Sequence, residues 1–379
     1  MTRTQLYFDH NADAKVSPAG WAAYAEAVED YGNPSSAHQA GRQARARLEQ
    51  ARAEIGRFFG VAPQGVLLTS GGTESDAMAL WGIASAGAHI VSTTLEHPAI
   101  LENLELLKAR RGVEVTLVPA GPDGVVSVEA IERALQPNTS LVSLQLANNE
   151  TGVIQPVCAV AQLARARGIL VHSDVVQAVG RMPVTLDTLG VDMLSISAHK
   201  FGGVGGTGAL IVAPGIELAP LLVGGGQEGG YRSGTENVAG AASMAAALAE
   251  SADLERALIV EAHRDELEAL LTERLDGIKV VGADSPRLCN TSSMRFVGCP
   301  GDALLMALDI EGLFVSVGSA CSSGSIEPSP VLLAMGLEPE KAREVVRFSL
   351  PMDVSRDEIE RAVETVVRVV NRIRTSGQL

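Results

Sequence analysis

Short apolar runs and helical patterns alternate along the first part of the chain. Runs at 66–69, 89–93, 113–119, 141–146, 169–172, 193–197 and 209–212 have strand character, and stretches such as 131–135 and 157–167 between them have helical spacing. That alternation predicts βαβ units, with a mostly parallel seven-stranded sheet covered by helices on both faces. From 235 to about 275 there is no proline, and only Gly240 interrupts a pattern rich in Ala, Leu, Glu and Arg. One long helix connecting two domains is expected there. After it, strands are expected at 279–282, 291–296, 314–317 and 346–350, and helices at 301–308, 330–335 and 356–373, as a smaller α+β unit. The fold class is therefore α/β with a smaller α+β domain.

Composition narrows the function. With 379 residues and 46% apolar positions, the chain can bury a large core and fill about two domains. A formal net charge of −15 gives no general attraction to nucleic acid or anionic membrane, leaving small molecules and proteins as partners. The N-terminal residues lack the apolar core of a signal peptide, and Pro and Gly interrupt the apolar stretch at 209–223, so a cytoplasmic protein is expected. Cys158, Cys289, Cys299 and Cys321 form no C-x-x-C pair and have no metal-ligand spacing with histidine. No metal site is expected, and at least one cysteine should be a free thiol.

The chemistry collects at strand ends. In mostly parallel sheets, ligands bind beyond the carboxyl ends of the strands. Here those ends lead into Ser70-Gly71-Gly72-Thr73-Glu74-Ser75, Glu96-His97, Asn148-Asn149-Glu150, Ser173-Asp174 and His199-Lys200. The Ser70–Thr73 turn before a helical stretch offers backbone N–H groups to an anion. It lacks the Gly-Lys-Ser/Thr ending of a nucleotide P-loop. The glycine string at 203–208 precedes a strand rather than a helix, so it is no dinucleotide fingerprint. Ser197-Ala198-His199-Lys200 matches S-x-x-K, but the Ser-Asp-Asn and Lys-Thr-Gly partners of that motif are missing. Lys200 is one of only five lysines in an arginine-rich chain, and an amine that can lose its proton can attack a carbonyl where a guanidinium cannot. An acid such as Asp174 on the strand before a Schiff-base lysine can keep a pyridine nitrogen protonated.

With anchor, acid and lysine in this order, the chain resembles pyridoxal 5'-phosphate (PLP)-dependent enzymes of fold type I, and among them the aminotransferase class V group that contains the cysteine desulfurases. Nearly the whole chain carries the resemblance, in Gly32-Asn33-Pro34-Ser35-Ser36-Ala37-His38, in Thr69–Asp76 and Asn148–Gly152, in Arg232-Ser233-Gly234-Thr235-Glu236-Asn237, in Gly318-Ser319-Ala320-Cys321-Ser322 and in Arg347-Phe348-Ser349-Leu350. The resemblance implies a large PLP-binding domain at 15–255 and a small domain made of 1–14 and 256–379, which carries a mobile catalytic loop at about 318–330. It implies that Lys200 forms the Schiff base and moves the Cα proton, Asp174 pairs the pyridine nitrogen, Gln177 meets the ring hydroxyl, and His97 stacks on the ring and assists proton transfer. Gly72, Thr73, Ser197 and His199 would hold the phosphate, with Thr235 reaching in from the partner of a homodimer. Asn149 and Arg347 would bind the substrate carboxylate.

Cys321 sits among Gly and Ser residues, where a thiol is exposed and can move. Cys158 reads as helix core, and Cys289 and Cys299 as structural. The resemblance makes Cys321 the persulfide carrier: sulfur leaves L-cysteine for its thiolate, L-alanine is released, and an iron–sulfur scaffold protein or other acceptor takes the sulfur. Selenocysteine lyase and class V aminotransferase are the alternative activities. Asn11-Ala12-Asp13-Ala14-Lys15 replaces an Ala-Thr-Thr-Pro-like run, Ala77 a frequent asparagine, Gly229 a frequent arginine, and Pro351 a common glycine.

Overall fold

The computed structural model describes residues 5–318 and 327–376. Twelve strands are found among them: β1 Leu6–Tyr7, β2 Val66–Thr69, β3 His89–Thr93, β4 Glu114–Val118, β5 Thr139–Ser143, β6 Leu170–Asp174, β7 Met193–Ser197, β8 Gly208–Val212, β9 Ile278–Val280, β10 Thr291–Phe296, β11 Leu313–Phe314 and β12 Val345–Ser349. The seven-stranded sheet has the order β2-β8-β7-β6-β5-β3-β4. Only β8 runs against its neighbours β2 and β7, so the other six strands all end on the same edge.

Successive residues of these strands go to opposite cores. Val91, Val142, Leu194 and Ile211 join one apolar cluster, whereas Ile90, Leu141, Met193 and Leu210 join another. A sheet covered by helices on both faces requires that division, and it explains why the strands read as nearly continuous apolar runs. The predicted run at 141–146 leaves the sheet after Ser143 and continues toward the strand-end cavity as loop.

A second core surrounds the antiparallel sheet β12-β10-β9 and includes Leu267, Leu271, Phe296, Phe348, Ile359, Val363 and Val370. Phe8 packs in the same cluster, and the N-terminal segment runs along this unit: β1 pairs with β11, and Asp9 bridges to Ser349. The segment therefore carries residues 10–14 from the smaller sheet to the edge of the larger one.

Three expectations fail locally. The strand expected at 314–317 ends at Phe314, as the two-residue β11. The connecting helix is two helices, Val238–Ser251 and Glu255–Arg274, because the Asp253 carboxylate accepts the Glu255 N–H and starts a new helix. Cys158 is exposed rather than in the core. The helix Val157–Arg165 buries Val157, Val160, Ala161 and Ala164, and at 3.6 residues per turn position 158 falls off that stripe. Cys289 and Cys299 are buried, as expected. No described helix is long and apolar enough to cross a membrane.

Candidate active site

Beyond β2 the chain turns through Ser70-Gly71 into the helix Gly72–Ile83. Gly71 has φ of 152°, in a region few residues other than glycine enter. The turn is packed too closely for side chains: a Cβ on Gly72 would meet Val176 Cγ2 at 2.9 Å, and one on Gly208 would meet Gly71 Cα at 2.6 Å. The first-turn N–H groups and the positive end of the helix dipole thus open onto the cavity at the strand ends. That cavity, of about 470 Å³, brings together Gly72, Thr73, His97, Asn149, Asp174, Gln177, Ser197, His199, Lys200 and Arg347.

Lys200 lies in a short 3-10 turn after β7, and its Nζ donates to the carbonyl oxygens of Asn11, at 2.7 Å, and Ala12, at 2.6 Å. Asp174 closes β6 and accepts the Val176 N–H. Its carboxyl is raised above the usual range by burial, opposed by that N–H and by the neighbouring His97 and Lys200. His97 Nδ1 accepts the Ala99 N–H as the cap of the helix Pro98–Arg111, so a neutral ring carries its proton on Nε2. Arg347 is buried. Its Nη1 donates to the Asn149 carbonyl and its Nη2 to Asp9, while Nε is buried with no partner among the described residues.

Thr235 is not in this cavity. It lines an adjoining one of about 90 Å³ with Arg232, and with Ser70 and Gly206, which also line the first. Cys321 lies outside the described residues.

Beneath the cavity is a cluster of acids that sequence reading quoted without giving a role. Glu96 is 2% exposed, accepts from Thr93 Oγ1 and the Gln145 N–H, and is pushed up to about 8, chiefly by burial. Asp76 lies in the helix after the glycine turn, with Oδ1 buried and unpartnered, 3.6 Å from His172 Nε2. Burial first, and the charge of Asp174 second, raise its carboxyl well above the ordinary range. Burial holds the His172 imidazole neutral, down to about 3. Asn11, named above only as part of a departing run, has a structural role: its side chain donates to the Asn149 carbonyl and to Thr291 Oγ1. The signals for Asp76 and Glu96 were their places in the string Thr69–Asp76 and just beyond the end of β3, and Asn11 was marked only as the start of the departing run Asn11–Lys15.

These residues fit PLP. The glycine-lined helix start suits its phosphate, a buried acid faces the same space as the lysine amine, and the unpartnered Arg347 Nε suits a substrate carboxylate. Fold and site together define a PLP-dependent enzyme of fold type I.

The family model for aminotransferase class-V matches residues 6–362. Cysteine desulfurase IscS of Dictyoglomus turgidum is 38% identical over 381 residues, covering 98% of this chain and 96% of that protein. An IscS-like cysteine desulfurase of Mycobacterium tuberculosis is 40% identical over 383 residues, covering 98% of each. Among solved structures, a NifS-like protein superposes with a TM-score of 0.90 at 34% identity, covering 97% of this chain and all of the other. SspA in complex with cysteine gives 0.82 at 30%, covering 92% and 99%. The chain belongs to the aminotransferase class-V family, and within it to the cysteine desulfurases.

Proposed function

We propose that the chain removes sulfur from L-cysteine, releases L-alanine and carries the sulfur on Cys321 for an acceptor. The observation that carries this proposal is the convergence of Lys200, Asp174, His97 and Arg347 on one cavity at the sheet edge. PLP, when bound, supplies an electron sink that lets the substrate Cα give up its proton. Gly72, Thr73, Ser197 and His199 would hold its phosphate, Asp174 would pair its ring nitrogen, Gln177 its ring oxygen, and His97 would stack on the ring.

Arg347 anchors the substrate carboxylate with its guanidinium, whose buried Nε has no partner among the described residues, with Asn149 beside it, and so aims Cα at Lys200. The Lys200 amine takes the Cα proton. His97, with its proton on Nε2, supplies or accepts a proton close by. The Cys321 thiolate attacks the substrate sulfur and an S–S bond forms. As the C–S bond breaks, its electron pair stays with carbon, which takes up a proton and becomes the methyl of alanine.

The family resemblance supports a role for Thr235 in the phosphate site of a second copy, and hence a homodimer; in its own chain Thr235 lines a small cavity that shares Ser70 and Gly206 with that of Lys200. The core around the smaller sheet draws its buried residues only from Leu6–Phe8 and Ala257–Val370, which supports a division into 15–255 and 1–14 with 256–379, although Val281 and residues such as Val331 and Val345 pack into the core of the larger unit. We further propose a cytoplasmic enzyme whose acceptor is an iron–sulfur scaffold protein, in keeping with the IscS name of its relatives.

The test is incubation of the holoenzyme with L-cysteine without reductant, followed by mass analysis of the peptide containing Cys321. A gain of one sulfur atom with alanine release is expected. Turnover with Cys321 unmodified refutes the carrier role.

A further inference from the structure

We infer that Arg181 is a positioning residue: it fixes the side-chain amide of Gln177 so that its NH2 end faces the cofactor's ring oxygen, and it places a positive charge behind that contact. This inference rests on Gln177 being the partner of the ring oxygen.

Four arginines among the described residues are buried: Arg52, Arg181, Arg264 and Arg347. Three of them pair with carboxylates, Arg52 with Glu228, Arg264 with Asp265, and Arg347 with Asp9. Arg181 pairs with none among the described residues, although it is only 6% exposed. A guanidinium in such a place is costly unless its donors are used. They are used on one neighbour above all: Nη1 donates to the Gln177 backbone carbonyl at 2.7 Å and to Gln177 Oε1 at 2.5 Å, and Nη2 donates to the His10 carbonyl at 3.3 Å.

Those contacts remove the usual ambiguity of an amide. A guanidinium offers only donors, so the Gln177 atom against it must be the oxygen. The opposite end agrees, because Gln177 Nε2 lies 3.0 Å from the Asn11 carbonyl, which only accepts. One amide hydrogen is committed to Asn11, and the second is left for a ligand in the cavity that Gln177 lines. The same Asn11 carbonyl accepts from Lys200 Nζ, so the orientation of Gln177 is tied to the segment that holds the amine. Burial draws the Arg181 guanidinium down to about 10, which leaves it cationic at neutral pH.

A positive charge transmitted through Gln177 favours an ionised ring oxygen and disfavours a proton on the nearby imine nitrogen. Removing it should raise the pH midpoint of the visible absorption band of the holoenzyme. One charge several ångströms away in an effective dielectric of about 20 is worth roughly one pH unit.

The experiment is a pH titration of that band in wild type, Gln177→Ala, Arg181→Met, Arg181→Lys and the Gln177→Ala/Arg181→Met double variant, with melting temperatures alongside. Arg181→Met should raise the midpoint by roughly one unit, Arg181→Lys should recover at least half of that shift, and the effect should shrink when Gln177 is already alanine. A melting-temperature loss without a midpoint shift makes Arg181 merely structural and overturns the inference, as does an undiminished effect in the double variant. If Arg181→Met does not fold, Arg181→Gln removes the same charge and is read by the same criteria. A Gln177→Ala midpoint equal to wild type refutes instead the assignment of Gln177 on which the inference rests.

Discussion

His199 Nδ1 lies 2.9 Å from Asp13 Oδ1, so the histidine preceding Lys200 is tied to the N-terminal segment that lines the cavity with Asn11 and Ala12. With Nδ1–H committed to Asp13, His199 can donate to a phosphate only if Nε2 also carries a proton. Asp13 favours that doubly protonated ring, against burial and the charge of Lys200, which together keep His199 below the ordinary histidine range. The Asp13 side chain is 67% exposed, so the pair contributes modestly. Asp13→Thr is expected to speed cofactor loss from the holoenzyme about two- to fivefold at neutral pH, measured by absorbance during dialysis. An unchanged rate removes Asp13 from the phosphate site.

Arg347 should control substrate capture more than turnover. Its Nη groups are occupied by the Asn149 carbonyl and Asp9, so its orientation is set before substrate arrives. Arg347→Lys retains the charge but not the planar two-pronged geometry, and should raise KM for L-cysteine about tenfold or more with a smaller change in kcat. Steady-state alanine release measures both. A fall in kcat alone would place the carboxylate elsewhere.

Glu96 links the floor of the site to stability. Its folded-state value of about 8 is above that of an exposed glutamate, so the native protein binds the extra proton and loses stability as pH rises from about 4.5 to about 8. Glu96→Gln should flatten the fall in unfolding free energy across that window, a difference on the order of a few kcal/mol, read by urea denaturation at several pH values. His172 acts with the opposite sign. Held neutral down to about 3, it contributes stability above about 6.5 that is lost as pH falls below that value. An equal pH slope in wild type and Glu96→Gln would show that Glu96 ionises freely.

The loop leading to Thr235 is held by Glu228, a buried residue at φ 49°, whose carboxylate takes both Arg52 Nη groups, at 2.6 and 2.7 Å, and also accepts the Leu68 N–H. Glu228→Gln leaves the buried guanidinium with only the half-exposed Glu49 carboxylate, 3.3 Å from Nε, and should cost about 2–4 kcal/mol. Pairing it with Arg52→Met should restore part of that loss. Thermal unfolding of the three variants checks this, and additive losses in the double variant would contradict it.

Much of the fold was legible along the chain. β2, β3, β7 and β10 have the limits that their apolar runs predict, because each is buried over almost its whole length, and β2, β3 and β7 end where polar residues enter the cavity. The connecting helix was misread because Ala, Leu, Glu and Arg continue across the break, and one aspartate side chain capturing a nearby N–H leaves no gap in a hydrophobic pattern. Cys158 was misplaced because its neighbours are apolar, whereas helical rotation decided which of them face the core.

The sequence by itself determined the α/β class, the order of strands and helices, and the polar strand ends where the chemistry collects, since all of these follow from local periodicity and from residues adjacent in the chain. Only the tertiary structure decided that Asn11 would meet Lys200, that Arg181 would turn the amide of Gln177, and that Asp9 would hold Arg347. The Asn11 and Asp9 contacts join residues 189 and 338 positions apart. The Arg181 contact spans only four, yet it matters only because the cavity lies on the other side of the amide. Donors and acceptors must be matched wherever packing removes water, and which groups packing brings together is a property of the folded chain.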